Sequence, residues 1–198
     1  KKNQVLGSIQ EQGKLTEELK TQILTAETLV AVDDLYRPYR PKRRTRATIA
    51  KGKGLDGLAD VIRLQLTKKP LEEEAVAYLS EEKGVLTTAD AIAGAGDILA
   101  EAISDEADYR AYIRKATLDE GQLLSEAKDE KAQTVYEMYY HYEEPVKKAA
   151  GHRILALNRG EAEKVLTVRV EAPEERILRY LEKKVIVRDN PHTTPVLK

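Results

Sequence analysis

Eight cationic side chains stand within the stretch "RPYRPKRRTRATIAKGK": Arg37, Arg40, Lys42, Arg43, Arg44, Arg46, Lys51 and Lys53, with no Asp or Glu among them. The chemistry this composition offers is anion binding. A guanidinium presents a planar fork of donors that grips a phosphate bidentately, and a proline-stiffened backbone reduces the entropy lost when several such groups converge on one strand. Tyr36 and Tyr39 are interleaved with the charges and are candidates to stack on bases, while nearby helix N-termini add backbone N–H donors. Without these eight, 25 basic residues face 34 acidic ones, a formal charge of −9 in a chain whose net charge is −1. The positive charge is therefore concentrated in one place.

The competing reading makes Tyr36 and Tyr39 core anchors and pairs the arginines with the protein's own carboxylates, Asp33 and Asp34 being nearest in sequence. Eight cations without a local acid are hard to neutralise internally, so some are expected to face an anionic partner. Other chemistry finds less support. His141, His152 and His192 are too scattered for a zinc site, and "HYEE" at 141 to 144 lacks the spacing of a helical metal motif. "GAGD" at 94 to 97 has no apolar strand before it, so helix packing explains it better than a dinucleotide loop. Paired glutamates at 72–73, 81–82 and 143–144 read as solvated faces, because acid–base work needs burial to shift a pKa. The tyrosines at 136, 139, 140 and 142 read as core and rim of a helix bundle. No nucleophile, base and acid are arranged together, and neither an enzyme nor a cofactor is expected.

Several elements must position the basic stretch. Val5, Leu6 and Ile9, then Leu15, Leu19, Ile23, Leu29 and Val30, recur at helical spacing around Gly13, which predicts two preceding helices. Pro38 and Pro41 bias Arg37 and Arg40 away from helix, so the segment is expected to be extended and stiff. "TRATIAK", "GKG" and the stripe Leu55, Leu58, Ala59, Ile62 and Leu66 outline a helix-turn-helix. Pro70 and three glutamates open a helix that Gly84 ends. Thr87 to Asp90 caps another through Ile92, Leu99 and Ile103, in which Gly94, Ala95 and Gly96 admit a close neighbour, and a further helix runs through Tyr109 and Ala116.

Beyond a break at "DEGQLLSEAKDE", with a short strand, Val135, Tyr139 and Tyr142 share a helical face. Pro145 begins the next helix, which Gly160 closes in the left-handed position. "VLTVRV" at 165 to 170 alternates as a strand with Leu166, Val168 and Val170 inward. Residues 173 to 184 return to helix, and "VIVR" at 185 to 188 is a candidate second strand.

At 198 residues with 41% hydrophobic side chains the chain can bury a core, and its 34% charged residues suit a surface of amphipathic helices. Without cysteine it has no disulfide framework, thiolate nucleophile or thiolate metal site, which fits a reducing, cytoplasmic setting. No apolar run is long enough to span a bilayer, so no membrane partner is expected. The first residue is not Met and the ending "TTPVLK" is abrupt, so a piece of a longer protein is expected.

The segment "DDLYRPYRPKRRTRATIAKGKGLDGLA" resembles the signature of the Tex family, the bacterial transcription accessory proteins. "AIAGAGDILAEAISDEADYR" and "HRILALNRGEAEKVLTVRV" are similar to two further stretches of that family, so the resemblance covers nearly the whole chain. Gly96 stands where the family often has Arg, and "AAGHR" replaces Pro-Ser-His-Arg. The resemblance implies a fragment of a mainly helical N-terminal region with a helix-turn-helix, in a family that binds nucleic acid mostly through a C-terminal module not found here. It implies no catalytic residue among these positions.

The expected molecule is thus mainly α, with a small β element near 165–170 and 185–188. Residues 1–118 are expected to form one helical unit carrying the basic segment, and 119–198 a second. The expected function is non-enzymatic DNA or RNA binding through phosphate contacts from the eight cations. The alternative is a scaffold that braces other domains of the full-length protein or docks on RNA polymerase.

Overall fold

A computed structural model describes residues 1–198, which form two compact units: residues 1–111 with 180–198, and residues 112–179. The molecule is mainly α-helical with one small antiparallel sheet, and no helix is long and apolar enough to cross a membrane.

The first unit opens with three helices, α1 (Lys2–Glu11), α2 (Glu17–Thr25) and α3 (Leu29–Tyr36). The sequence predicts two helices here. Thr28, accepting a hydrogen bond from the Ala31 N–H, caps a separate third one as Thr16 caps α2. Val5, Ile9, Leu19, Ile23 and Val32 form their shared core.

A second core follows. It is built by α4 (Arg46–Gly52), α5 (Asp56–Leu64), α6 (Leu71–Val76) and the long α7 (Thr88–Asp105), with Leu55, Leu58, Ile62, Val85 and Ala95 deeply buried. Helix α7 packs against α4, α5 and α6. The close approach anticipated at the glycine pair is real at Gly94, where an added Cβ would lie 2.4 Å from Leu55 Cδ1, but not at Gly96, which faces open space. Residues 185–188 are not a strand: α10 (Glu174–Val185) runs to Val185 and an irregular strap follows, before α11 (Thr194–Leu197) closes over the second core. Buried Gln65 holds that strap, its Nε2 donating to the Val185 carbonyl at 2.7 Å and its Oε1 accepting from the Arg188 N–H at 2.9 Å. With its amide and carbonyl committed to Gln65, this segment has no ladder to join.

The second unit contains the end of α8 (Ala107–Glu120), the sheet, α9 (Gly151–Ala162) and the start of α10. Its strands are β1 (Gln122–Ala127), β2 (His141–Pro145) and β3 (Leu166–Glu171), in the order β2-β1-β3 with Ser125 opposite both Tyr142 and Val168. The helix anticipated through Val135 and Tyr142 is absent. Residues 137–139 make one 3₁₀ turn that buries Tyr136, Tyr139 and Tyr140, and the chain then extends into β2, which satisfies the open edge of β1. Gly160 lies inside α9 rather than closing it, because Leu166 packs where its side chain would be, and Lys164 takes the left-handed conformation. Of the residues expected inward on β3, Leu166 is fully buried, Val168 is partly covered and Val170 is half-exposed.

Candidate nucleic-acid interface

The basic segment leaves α3 through a 3₁₀ turn at Arg37–Tyr39, with Pro38 at its start and the Arg40 N–H donating to the Arg37 carbonyl. This differs from the extended course expected throughout. Arg37 is helical despite the proline that follows, since the pre-proline restriction is a bias that one turn of good hydrogen bonding overrides. Arg40, also before a proline, is extended as anticipated. The chain then runs irregularly to Thr45, whose side chain and that of Thr48 cap each other's backbone N–H and start α4. Gly54, at φ +81°, makes the turn into α5.

Tyr36 and Tyr39 are core anchors. Both pack on the first cluster, the Tyr36 hydroxyl lies 2.9 Å from Ser8 Oγ, and Gln12 Nε2 donates to the Tyr39 carbonyl at 2.8 Å. The cations divide into two groups. Arg37 Nε donates to Asp105 Oδ1 at 3.0 Å, while Lys42 bonds Asp105 Oδ2 and lies 3.3 Å from Glu101. Arg46 approaches Asp97 at 3.5 Å with its side chain 87% exposed. Lys53 donates to the Gly84 carbonyl at 3.0 Å. Arg40, Arg43, Arg44 and Lys51 are exposed and make no ion pair within the chain.

The acids that meet the segment are not those nearest in sequence. Asp33 pairs with Lys1, and buried Asp34 accepts from Arg110 at 2.7 Å. Asp97, Glu101 and Asp105, spaced by four on α7, form one stripe along which Arg46, Lys42 and Arg37 are moored. The i, i+4, i+8 spacing was present in the sequence, but nothing local ties it to a segment more than fifty residues earlier. Asp105 is buried, and its carboxylate meets two cations, which compensates its desolvation.

The outcome is a shallow depression of about 410 Å³ whose wall holds five cations, Arg37, Arg40, Lys42, Arg43 and Arg44, against Glu101 and Asp105. Internal pairing leaves it with an excess of positive charge. Such a surface favours anions, and its exposed guanidinium groups carry the donors that a phosphate would need.

Comparison with known proteins places the chain in a family. Residues 66–190 match the family described as Tex central region-like. The chain is 46% identical, over its whole length, to "Uncharacterized protein YdcI" of Bacillus subtilis, of which it spans 28%. It is 42% identical over 84% of its length to "Protein tex" of Bordetella pertussis, spanning 21% of that protein. It is 29% identical over 86% of its length to the human "S1 RNA-binding domain-containing protein 1", spanning 18%. The chain thus covers under a third of each of these relatives, and on the family match and these identities it belongs to the Tex family.

Proposed function

We propose that this chain is a non-enzymatic, nucleic-acid-binding part of a cytoplasmic transcription accessory factor, contacting phosphates through the basic segment. The observation that carries the reading is the set Arg40, Arg43 and Arg44, exposed and without an internal acid at the rim of a depression rich in cations. Arg46 and Lys51 extend this set on α4, while Arg37, Lys42 and Lys53 are the more firmly held members. A relative named "Transcriptional accessory protein Tex" from Neisseria gonorrhoeae and the human relative named for RNA binding support the same class of partner.

The test is a titration with labelled DNA and RNA at several salt concentrations. Four or five phosphate contacts give log K falling with log salt at a slope of roughly −4, and R40A/R43A/R44A reduces that slope by roughly 2 to 3. Unchanged binding by a folded triple variant removes the segment from the interface. The second reading is a scaffold that braces other domains of a longer protein or docks on RNA polymerase, and the mooring of Arg37 and Lys42 to Asp105 favours it. It expects no oligonucleotide binding and a folding defect when the mooring is cut.

A further inference from the structure

We infer that the basic segment takes a double-stranded phosphate backbone in preference to a single strand, and takes it without reading bases. This rests on the phosphate-binding reading above and names its ligand class. The carrying observation is where the aromatic rings have gone. The chain has no Phe or Trp, and none of the five tyrosines of the first unit is exposed. Tyr36 and Tyr39, adjacent to the cations, are partly buried against the first core, with only part of the Tyr36 ring reaching a depression beside Arg40; Tyr78 packs on the second; Tyr109 and Tyr180 stack edge to face on each other. The exposed cations therefore have no fully exposed ring beside them on which a run of bases could stack.

That absence discriminates between ligands. Single-strand binding draws about 1 to 3 kcal/mol per base from rings that replace the lost base stacking. A duplex keeps its bases stacked on each other and asks only for phosphate contacts, which Arg40, Arg43, Arg44, Arg46 and Lys51 can supply. The duplex also carries the denser charge: counterion release contributes about 0.9 per contact to the salt exponent, against about 0.7 for a single strand. At ~0.1 M salt and four or five contacts, that difference favours the duplex by about six- to tenfold.

The experiment is an anisotropy titration of the 198-residue chain at one salt concentration with a labelled DNA duplex, an RNA duplex and the separated strands of each, with R40A/R43A/R44A run in parallel. Tighter binding of either duplex than of its own strands by about sixfold or more, lost in the triple variant and unaffected by shuffling the base sequence, is the expected result; the DNA and RNA arms identify which backbone is taken. Equal or tighter binding of the single strands, still abolished in the triple variant, overturns the duplex inference and leaves the phosphate reading standing. Binding to none of the four by a chain with native circular dichroism overturns both.

Discussion

Asp105 illustrates how one side chain settles the course of a segment. It is a buried carboxylate that receives both Arg37 and Lys42, and so anchors the beginning and middle of the basic stretch to the C-terminal end of α7. Replacing it with Ala removes both contacts, but Arg37 is nearly half-exposed and recovers hydration. The expected loss is therefore about 1 to 2 kcal/mol in urea unfolding rather than the larger cost of a fully buried pair. By contrast, the Asp97 pair lies almost wholly in solvent on the arginine side, so D97A changes stability by less than about 0.5 kcal/mol in the same assay. In the second unit, burial raises the pKa of Tyr136, with Glu163 adding to the effect, and burial with Glu144 raises that of Tyr142. Because the folded phenols titrate above the unfolded value of about 10, their contribution is complete below that pH. It is lost as pH rises through the folded values. Alkaline unfolding followed by circular dichroism is expected to begin later in Y136F/Y142F.

Helix α7 does most of the positioning at the scale of elements. One face packs on α4, α5 and α6, and another carries the acidic stripe to which the basic segment is moored. Gly94 and Gly96 make its packing testable, since both are helix-interior glycines with different surroundings. An alanine at 94 meets Leu55, which is itself buried. The overpacking outweighs the gain in helix propensity, so G94A is expected to lower stability by about 1 kcal/mol. An alanine at 96 meets nothing within 4 Å and gains propensity alone, raising stability by about 0.5 to 1 kcal/mol. Equal effects in thermal or urea unfolding contradict this packing of α7 on Leu55.

Across the whole molecule, the first unit is assembled from the two ends of the chain, and Gln65 is the joint. Its side chain bonds Val185 and Arg188, and its carbonyl accepts from Asn190 Nδ2 at 3.2 Å, across more than a hundred residues of sequence. Q65A leaves the Val185 carbonyl and Arg188 N–H without these partners, and is expected to cost about 2 kcal/mol. Faster hydrogen exchange at the Arg188 amide, with core amides of α5 unchanged, distinguishes release of the strap from global destabilisation.

The sequence by itself determined the helical class, the cap-defined starts of α2 and α7, a strand read at 165–170 that forms at Leu166–Glu171, and the location of the cationic segment. These depend on local periodicity, capping chemistry and charge density, all of which act over a few residues. It did not determine which cations are moored and which are free, because Asp97, Glu101 and Asp105 reach Arg46, Lys42 and Arg37 only once α7 has packed beside α4. Nor did it determine the strand at 141–145, whose tyrosine spacing suits a helix equally well until β1 offers an unpaired edge. Tertiary structure decided these points because an ion pair or a strand partner is a relation between distant segments, set by where the cores bring the backbone together.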